Sequence, residues 1–317
     1  MRTSAAAAVL LLLGGACARP PEPAPSLASR LADRAEASAA VEADTRALAA
    51  LGPRVTGSAA CARAEELAAA RLREAGLAPV LETYARPEGA ALEAPARNVL
   101  ADIRGTDGSR GLVLLAAHLD GVAVGEGAAD DAVNVAVLLE AARTLEAFAP
   151  PPRRSIRFAF FTGEEQRMKG SAAYLRAHPD EPHALAVVFD LGSGKARGFF
   201  MNGRKQELRA LFQRVLAPDR RWYALYGTYQ IWAGCDALPF VESGIPVLTL
   251  LQDDKEYLVV RHTPADVVGA LDFASARRNA GLAAALAWGA ANDAAPDLPR
   301  MTAEESRALL KRHGIAP

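Results

Sequence analysis

Five side chains of types that bind metal ions occur in order along this 317-residue chain, with a sixth carboxylate beside one of them: His118, Asp130, Glu164 with Glu165, Asp190 and His262. Each lies at or just after the end of an apolar, strand-like run, where an open α/β sheet gathers its site. Two histidines and three carboxylates, with one carboxylate to spare, are what two zinc ions and a general base require. The chemistry would be hydrolysis: metal ions activate a water and the spare carboxylate takes its proton.

Taken singly, each residue also has a plainer explanation. His118-Leu119-Asp120 follows the run Leu112 to Ala117, and a histidine leaving a buried strand can be simply hydrogen-bonded. Asp120, two residues on, faces the same way in an extended chain and could accept the other imidazole N–H. Gly127-Ala128-Ala129-Asp130-Asp131 opens a helix. A cap with a first-turn acid does not explain two adjacent acids after a glycine-rich turn. Phe158 to Phe161 runs through Thr162-Gly163 into Glu164-Glu165. Neighbouring side chains point in different directions, so one can ligate a metal while the other acts as base. Asp190, before Gly192-Ser193-Gly194, reads alone as a turn residue, and His262 in His262-Thr263-Pro264-Ala265-Asp266 reads alone as a surface histidine. His178, His183 and His313, in helix ends or polar stretches, receive no role. The order of the set, at successive strand ends, is what carries the argument.

Strands and helices alternate along the chain. Strands are expected at Val80 to Tyr84, Asn98 to Ile103, Leu112 to Ala117, Ile156 to Phe161, Ala184 to Phe189 and Pro246 to Leu251. Helices are expected from Leu27 to Leu51, stopped by Gly52-Pro53, and from a Ser58 cap to about Glu74. Others run from about Ala132 to Phe148, from beyond Phe161 to about Ala177, and over Gln206 to Leu216, Phe273 to Ala291 and Thr302 to Arg312. This alternation predicts an α/β fold: a single three-layer α/β/α domain over 27–317, with a mostly parallel central sheet.

Hydrophobic residues make up 51% of the chain and charged residues 23%, as in ordinary globular proteins, and a net charge of −1 gives no reason to expect a nucleic-acid partner. Residues 1–17 read as a signal peptide. Arg2 supplies the positive start, and Ala5 to Leu13 is too short to span a bilayer. Leu13-Gly14-Gly15-Ala16-Cys17 resembles a bacterial lipobox that would lipidate Cys17; Ala16-Cys17-Ala18 also suits ordinary cleavage. A Pro-rich tether spans 18–26. The expectation is an exported protein, a periplasmic or outer-membrane lipoprotein or a secreted one, touching membrane only through a lipid on Cys17. Cys61 and Cys235 could be bonded or free.

Several segments together resemble the zinc-dependent aminopeptidase and glutamate carboxypeptidase family with co-catalytic metals. They are His118-Leu119-Asp120, Gly127 to Asp131, Gly163-Glu164-Glu165 with Gly170-Ser171, Asp190, Cys235 to Phe240 with Gly244-Ile245-Pro246, and His262-Thr263, within roughly residues 45 to 292. The loop from Asp190 to Gly198 resembles most the branch containing plasma glutamate carboxypeptidase. The resemblance implies two Zn²⁺ ions per chain bridged by Asp130, one completed by His118 and Asp190, the other by Glu165 and His262. It makes Glu164 the general base, sets Asp120 and Asp236 behind the ligands, and implies a cis peptide after the bridging aspartate, at Asp130–Asp131. The chain departs from the family pattern at Val133-Asn134, where Ser-Gly is usual, at the basic Gln166-Arg167-Met168-Lys169, at Arg261, where an aromatic residue or histidine is common, and at Cys235, where serine is usual.

The expected activity is that of an exopeptidase or dipeptidase on short peptides. Two alternatives are a glutaminyl cyclase with a single zinc and a metal-free peptide-binding lipoprotein. The full ligand set argues against the first and Glu164 against the second. Arg261 and Arg167, with Lys169, are candidate contacts to a substrate carboxylate. Peptide polarity, native metal and oligomeric state are left open by the sequence.

Overall fold

The computed structural model describes residues 25–315 apart from residues 229, 233 and 254. The leader and Cys17 therefore lie outside the described residues. In chain order the elements are α1 (Leu27–Glu36), α2 (Ala40–Ala49), α3 (Ala59–Glu74), β1 (Val80–Tyr84), β2 (Ala96–Ile103), β3 (Leu112–His118), α4 (Val133–Phe148), β4 (Ile156–Phe161) and α5 (Lys169–Ala177). They continue with β5 (His183–Val188), β6 (Ala196–Asn202), α6 (Lys205–Val215), β7 (Tyr226–Thr228), α7 (Ala237–Glu242), β8 (Val247–Gln252), α8 (Lys255–Val260), α9 (Phe273–Asn292) and α10 (Ala303–Arg312).

The eight strands form one sheet in the order β1-β2-β4-β3-β5-β8-β6-β7. The central four, β4-β3-β5-β8, are parallel. Antiparallel pairing is confined to β1 with β2, β2 with β4, and β6 with β8. The continuous apolar runs become inner strands because helices cover both faces. Val113, Leu115 and Ala117 of β3 face a core shared with Leu31, Val41, Leu72, Val137 and Leu286 of α1, α2, α3, α4 and α9. Leu112, Leu114 and Ala116 face the opposite layer, built from Tyr174 of α5, Phe240 of α7 and Leu309 of α10. The result is a mixed α/β single domain with a mostly parallel sheet.

The expected helix from Leu27 to Leu51 is two helices. The hydroxyl of Ser38 accepts the N–H of Ala40 and starts α2, the kind of local side-chain bond that competes with helix continuation. Strands β6 and β7 went unrecognised, and β6 takes up part of what reads as the loop to Gly198. Its start, Ala196-Arg197-Gly198, lacks an apolar pattern. Cys61 and Cys235 are free and buried. Among the described residues no helix is long and apolar enough to cross a membrane.

Candidate metal centre

The carboxyl ends of β3, β4 and β5 deliver His118, Glu164, Glu165 and Asp190 to one place, whereas Asp130 and His262, expected at strand ends, arrive from the segment before α4 and from the turn after α8. His118 is the last residue of β3, and Asp190 lies two residues beyond β5. Glu164 and Glu165 occupy the corner after β4, before α5 begins at Lys169. Asp130 sits in a kinked segment, Ala128–Ala132, that leads into α4; its own backbone is non-helical (φ −126°, ψ 78°), and its peptide bond to Asp131 is cis. His262 follows α8 in the left-handed backbone region, with φ 60°, which a non-glycine residue seldom adopts.

Two groups of three form around one shared carboxylate: His118, Asp130 and Asp190, and Asp130, Glu165 and His262. Nε2 of His118 stands 3.0 Å from Oδ1 of Asp130 and 3.6 Å from Oδ1 of Asp190. Nε2 of His262 stands 3.1 Å from Oδ2 of Asp130 and 3.0 Å from Oε2 of Glu165. Ligands bound at about 2.0–2.1 Å to a tetrahedral zinc are roughly 3.3–3.4 Å apart, so these spacings fit such an ion. Oε1 of Glu165 is buried without a hydrogen-bond partner. The donor set, imidazole and carboxylate without thiolate, also suits zinc.

Burial opposes ionisation of Asp130, yet its hydrogen bonds from His118 and His262 outweigh burial and hold it below the ordinary carboxylate range. Burial raises Glu165 to about 7 and Asp190 to about 6, with the charge of Asp130 adding to both. Glu164 is only 9% exposed and belongs to neither group of three. Burial first, then the charge of Asp190, pushes it well above its usual value.

Asp120 does something other than expected. The atom near Nδ1 of His118 is the backbone carbonyl of Asp120, at 3.2 Å, whereas the carboxylate is 3.6 Å away. That carboxylate instead accepts the backbone N–H groups of Glu164 and Glu165, both at 3.3 Å, and the hydroxyl of Thr56 at 2.9 Å. It fixes the corner that carries both glutamates. Asp236, buried at the start of α7, accepts the hydroxyl of Ser171, and burial raises it to about 7. Asn134, the departure from Ser-Gly, donates to Asp131, whose other oxygen accepts the backbone N–H of His118.

Arg261 lies over the ring of Tyr257 at 5.5 Å and feels the charges of Asp130 and Asp190. Arg167 and Lys169 are exposed, and among the described residues no contact ties either to the two groups. Three residues of the centre escaped sequence reading. The Tyr257 hydroxyl lies 3.2 Å from Oδ1 of Asp130 and 3.3 Å from Oδ1 of Asp190, with its one hydrogen shared between them or given to either, from a six-residue helix with no clear period. Arg54 and Asp266 are buried polar residues in loop-like sequence, and no local pattern marked them. His183, read as lying in a polar stretch, is buried in β5 with its Nε2 2.8 Å from the Tyr174 hydroxyl.

Residues 98–287, well over half of the chain, match the model of peptidase family M28. The chain belongs to that family. Membership makes it a metal-dependent hydrolase of a zinc-dependent family. Among curated proteins it is similar to carboxypeptidase Q of Xenopus laevis, with 28% identity over 57% of this chain and 38% of that protein. The match thus spans well under half the length of that relative. Among solved structures it is similar to a peptidase M28 precursor from Shewanella amazonensis (TM-score 0.75, 17% identity, 87% of this chain and 98% of that one). It is similar also to a zinc aminopeptidase from Bacillus subtilis (TM-score 0.65, 17% identity, 84% and 97%). A third is glutaminyl cyclase of Porphyromonas gingivalis (TM-score 0.61, 23% identity, 80% and 95%). All three structural likenesses fall below 25% identity and bear on the fold.

Proposed function

We propose that the chain is an exopeptidase for short peptides that works with two zinc ions. The observation that carries this reading is the pair of three-residue groups sharing Asp130, with Glu164 beside them and outside both. His118, Asp130 and Asp190 would hold one ion, and Asp130, Glu165 and His262 the other. The ions, when bound, supply Lewis acidity toward the scissile carbonyl and toward water. Glu164 takes the proton of the attacking water and returns it to the leaving amine. Its carboxyl must be ionised to accept that proton, and two dications would offset the burial and the charge of Asp190 that push it up without them. Asp120 holds the Glu164 and Glu165 N–H groups, so the base and its ligand neighbour keep their separate directions.

Arg261, whose charge interacts with those of Asp130 and Asp190, would hold a substrate carboxylate, and we infer a preference for peptides with a free C-terminus or an acidic residue. Arg167 is exposed, and no contact supports it in this role. The lipobox at Cys17 would export the enzyme and anchor it by lipid. The test is metal content per chain together with a panel of dipeptides, aminoacyl amides and N-terminal glutaminyl peptides. Two zinc ions with dipeptide or aminoacyl-amide hydrolysis support the reading. One zinc with cyclisation of the glutaminyl peptides supports the cyclase alternative, and no metal supports a binding protein.

A further inference from the structure

Arg54 is 1% exposed, the largest of the fully buried side chains, and belongs to neither group of three. Its fork donates to three backbone carbonyls: Nε to Leu119 at 2.8 Å, Nη1 to Glu126 at 2.6 Å and Nη2 to Gly127 at 2.8 Å. Its own carbonyl accepts the N–H of Gly121 at 3.1 Å. Leu119 directly follows His118, and Gly127 stands three residues before Asp130. One guanidinium therefore ties the end of β3 to the far end of the loop that delivers Asp130. Gly127 has φ 59°, and a Cβ there would meet Nη2 of Arg54 at 2.9 Å and the carbonyl of Asp130 at 3.0 Å, so the loop is drawn close against the fork.

Asp266, also 1% exposed, grips the same loop from the side of His262. Its Oδ1 accepts the N–H of Ala129 at 2.6 Å and its Oδ2 that of Asp130 at 3.3 Å, while its carbonyl accepts the N–H of Glu126 at 2.8 Å. Among the described residues Arg54 makes no ion pair within 4 Å; its hydrogen bonds go to main-chain carbonyls, while the charges of Asp120, Asp266 and Asp131 beyond that range favour its ionised form. Burying a guanidinium in that way is costly, and simple packing could be achieved with an apolar side chain. What the fork adds is fixed distance and angle at three points along one loop.

We propose that Arg54 and Asp266 are positioning residues that set Asp130 against His118, and through the shared carboxylate fix the spacing of both groups. This rests on reading the groups as metal sites. Arg54→Lys keeps the charge and loses the fork, and Asp266→Asn keeps one acceptor and loses the charge. The readouts, on the full chain, are zinc dissociation constants from chelator competition, the metal-free Tm, and the rise in Tm on adding zinc. Zinc binding at least tenfold weaker in the variants, with a smaller zinc-induced rise, is expected, the size typical of groups that orient ligands from behind. A lowered metal-free Tm with unchanged zinc affinity would make the two residues merely structural and overturn the proposal. If Arg54→Lys does not fold, Asp266→Asn decides by the same criterion. A wild-type chain that binds no zinc would remove the metal-site reading itself, an outcome distinct from equal binding by wild type and variants.

Discussion

Replacing Glu164 by Gln separates catalysis from metal binding in a single variant. The side chain belongs to neither group of three, and its main-chain N–H is held by Asp120 whatever the side chain is. The variant should therefore retain the metal content of the wild type. Gln cannot take a proton, so kcat should fall by the ~10²–10⁴ that a positioned base contributes, about 3–5 kcal/mol of barrier. Stability should move the other way. Burial raises the Glu164 pKa in the folded state, so the fold binds its proton more tightly than the unfolded chain does. The ionised carboxylate then costs stability increasingly as pH rises above the unfolded value, and Gln removes that cost. The metal-free Tm at pH 7 should equal or exceed that of wild type. Inductively coupled plasma analysis, steady-state hydrolysis of the best dipeptide and a metal-free thermal melt provide the three numbers. Near-full activity would refute the base assignment, and loss of one metal would show Glu164 to be a ligand.

Arg261→Ala should raise KM for peptides with a free carboxylate more than for their amidated counterparts; equal effects on both would remove Arg261 from recognition. Cys17→Ala should move the protein from the membrane to the soluble fraction of a bacterial host, whereas a soluble wild type would favour cleavage at Ala16-Cys17-Ala18. Burial pulls His183 down to about 4 against an ordinary 6.5, so the unfolded chain binds its proton first as pH falls. Its contribution to stability is therefore complete above pH 6.5 and is lost as pH falls toward 4, by up to about 3 kcal/mol. His183→Gln should flatten that part of the acid-denaturation curve, and an unchanged curve would show that the imidazole titrates normally.

The parallel core strands were legible because their apolar runs are uninterrupted, and residues at their ends could be named before any fold was known. Leu112 to Ala117 is the plainest case: every residue is buried, and His118 stands at the point where burial by helices gives way to the site. Elements built from mixed sequence were harder to see. β6 opens on Ala196-Arg197-Gly198 and α8 leaves Leu258 and Val259 exposed, so neither shows a clean period. The supports of the centre were hidden for a different reason. Arg54 acts on Leu119, Glu126 and Gly127, sixty-five or more residues away, entirely through backbone carbonyls. A bond to a carbonyl leaves no trace in the identity of the partner residue. Asp120 shows the same limit: its spacing from His118 was visible, but the partners of its carboxylate, the N–H groups after β4, were not.

The centre also concentrates negative charge beyond what its own cations balance. Asp120, Asp130, Asp131, Glu164, Asp190, Asp236 and Asp266 are buried, and Glu165 adds another carboxylate at the shared edge. Against them stand Arg54, Arg261 at the edge, and two imidazoles that ligate metals only when neutral. Burial pushes Glu164, Asp131, Asp190, Asp236 and Asp266 toward the protonated form, which is how a protein relieves charge it cannot pair. Two dications would add four positive charges at the centre of this set and let the carboxylates ionise in place. The same accumulation explains why so much main-chain bonding is spent here. Asp120 holds the glutamate corner, and Arg54 and Asp266 hold the Asp130 loop, through main-chain bonds that do not depend on the charge of the ligand side chains.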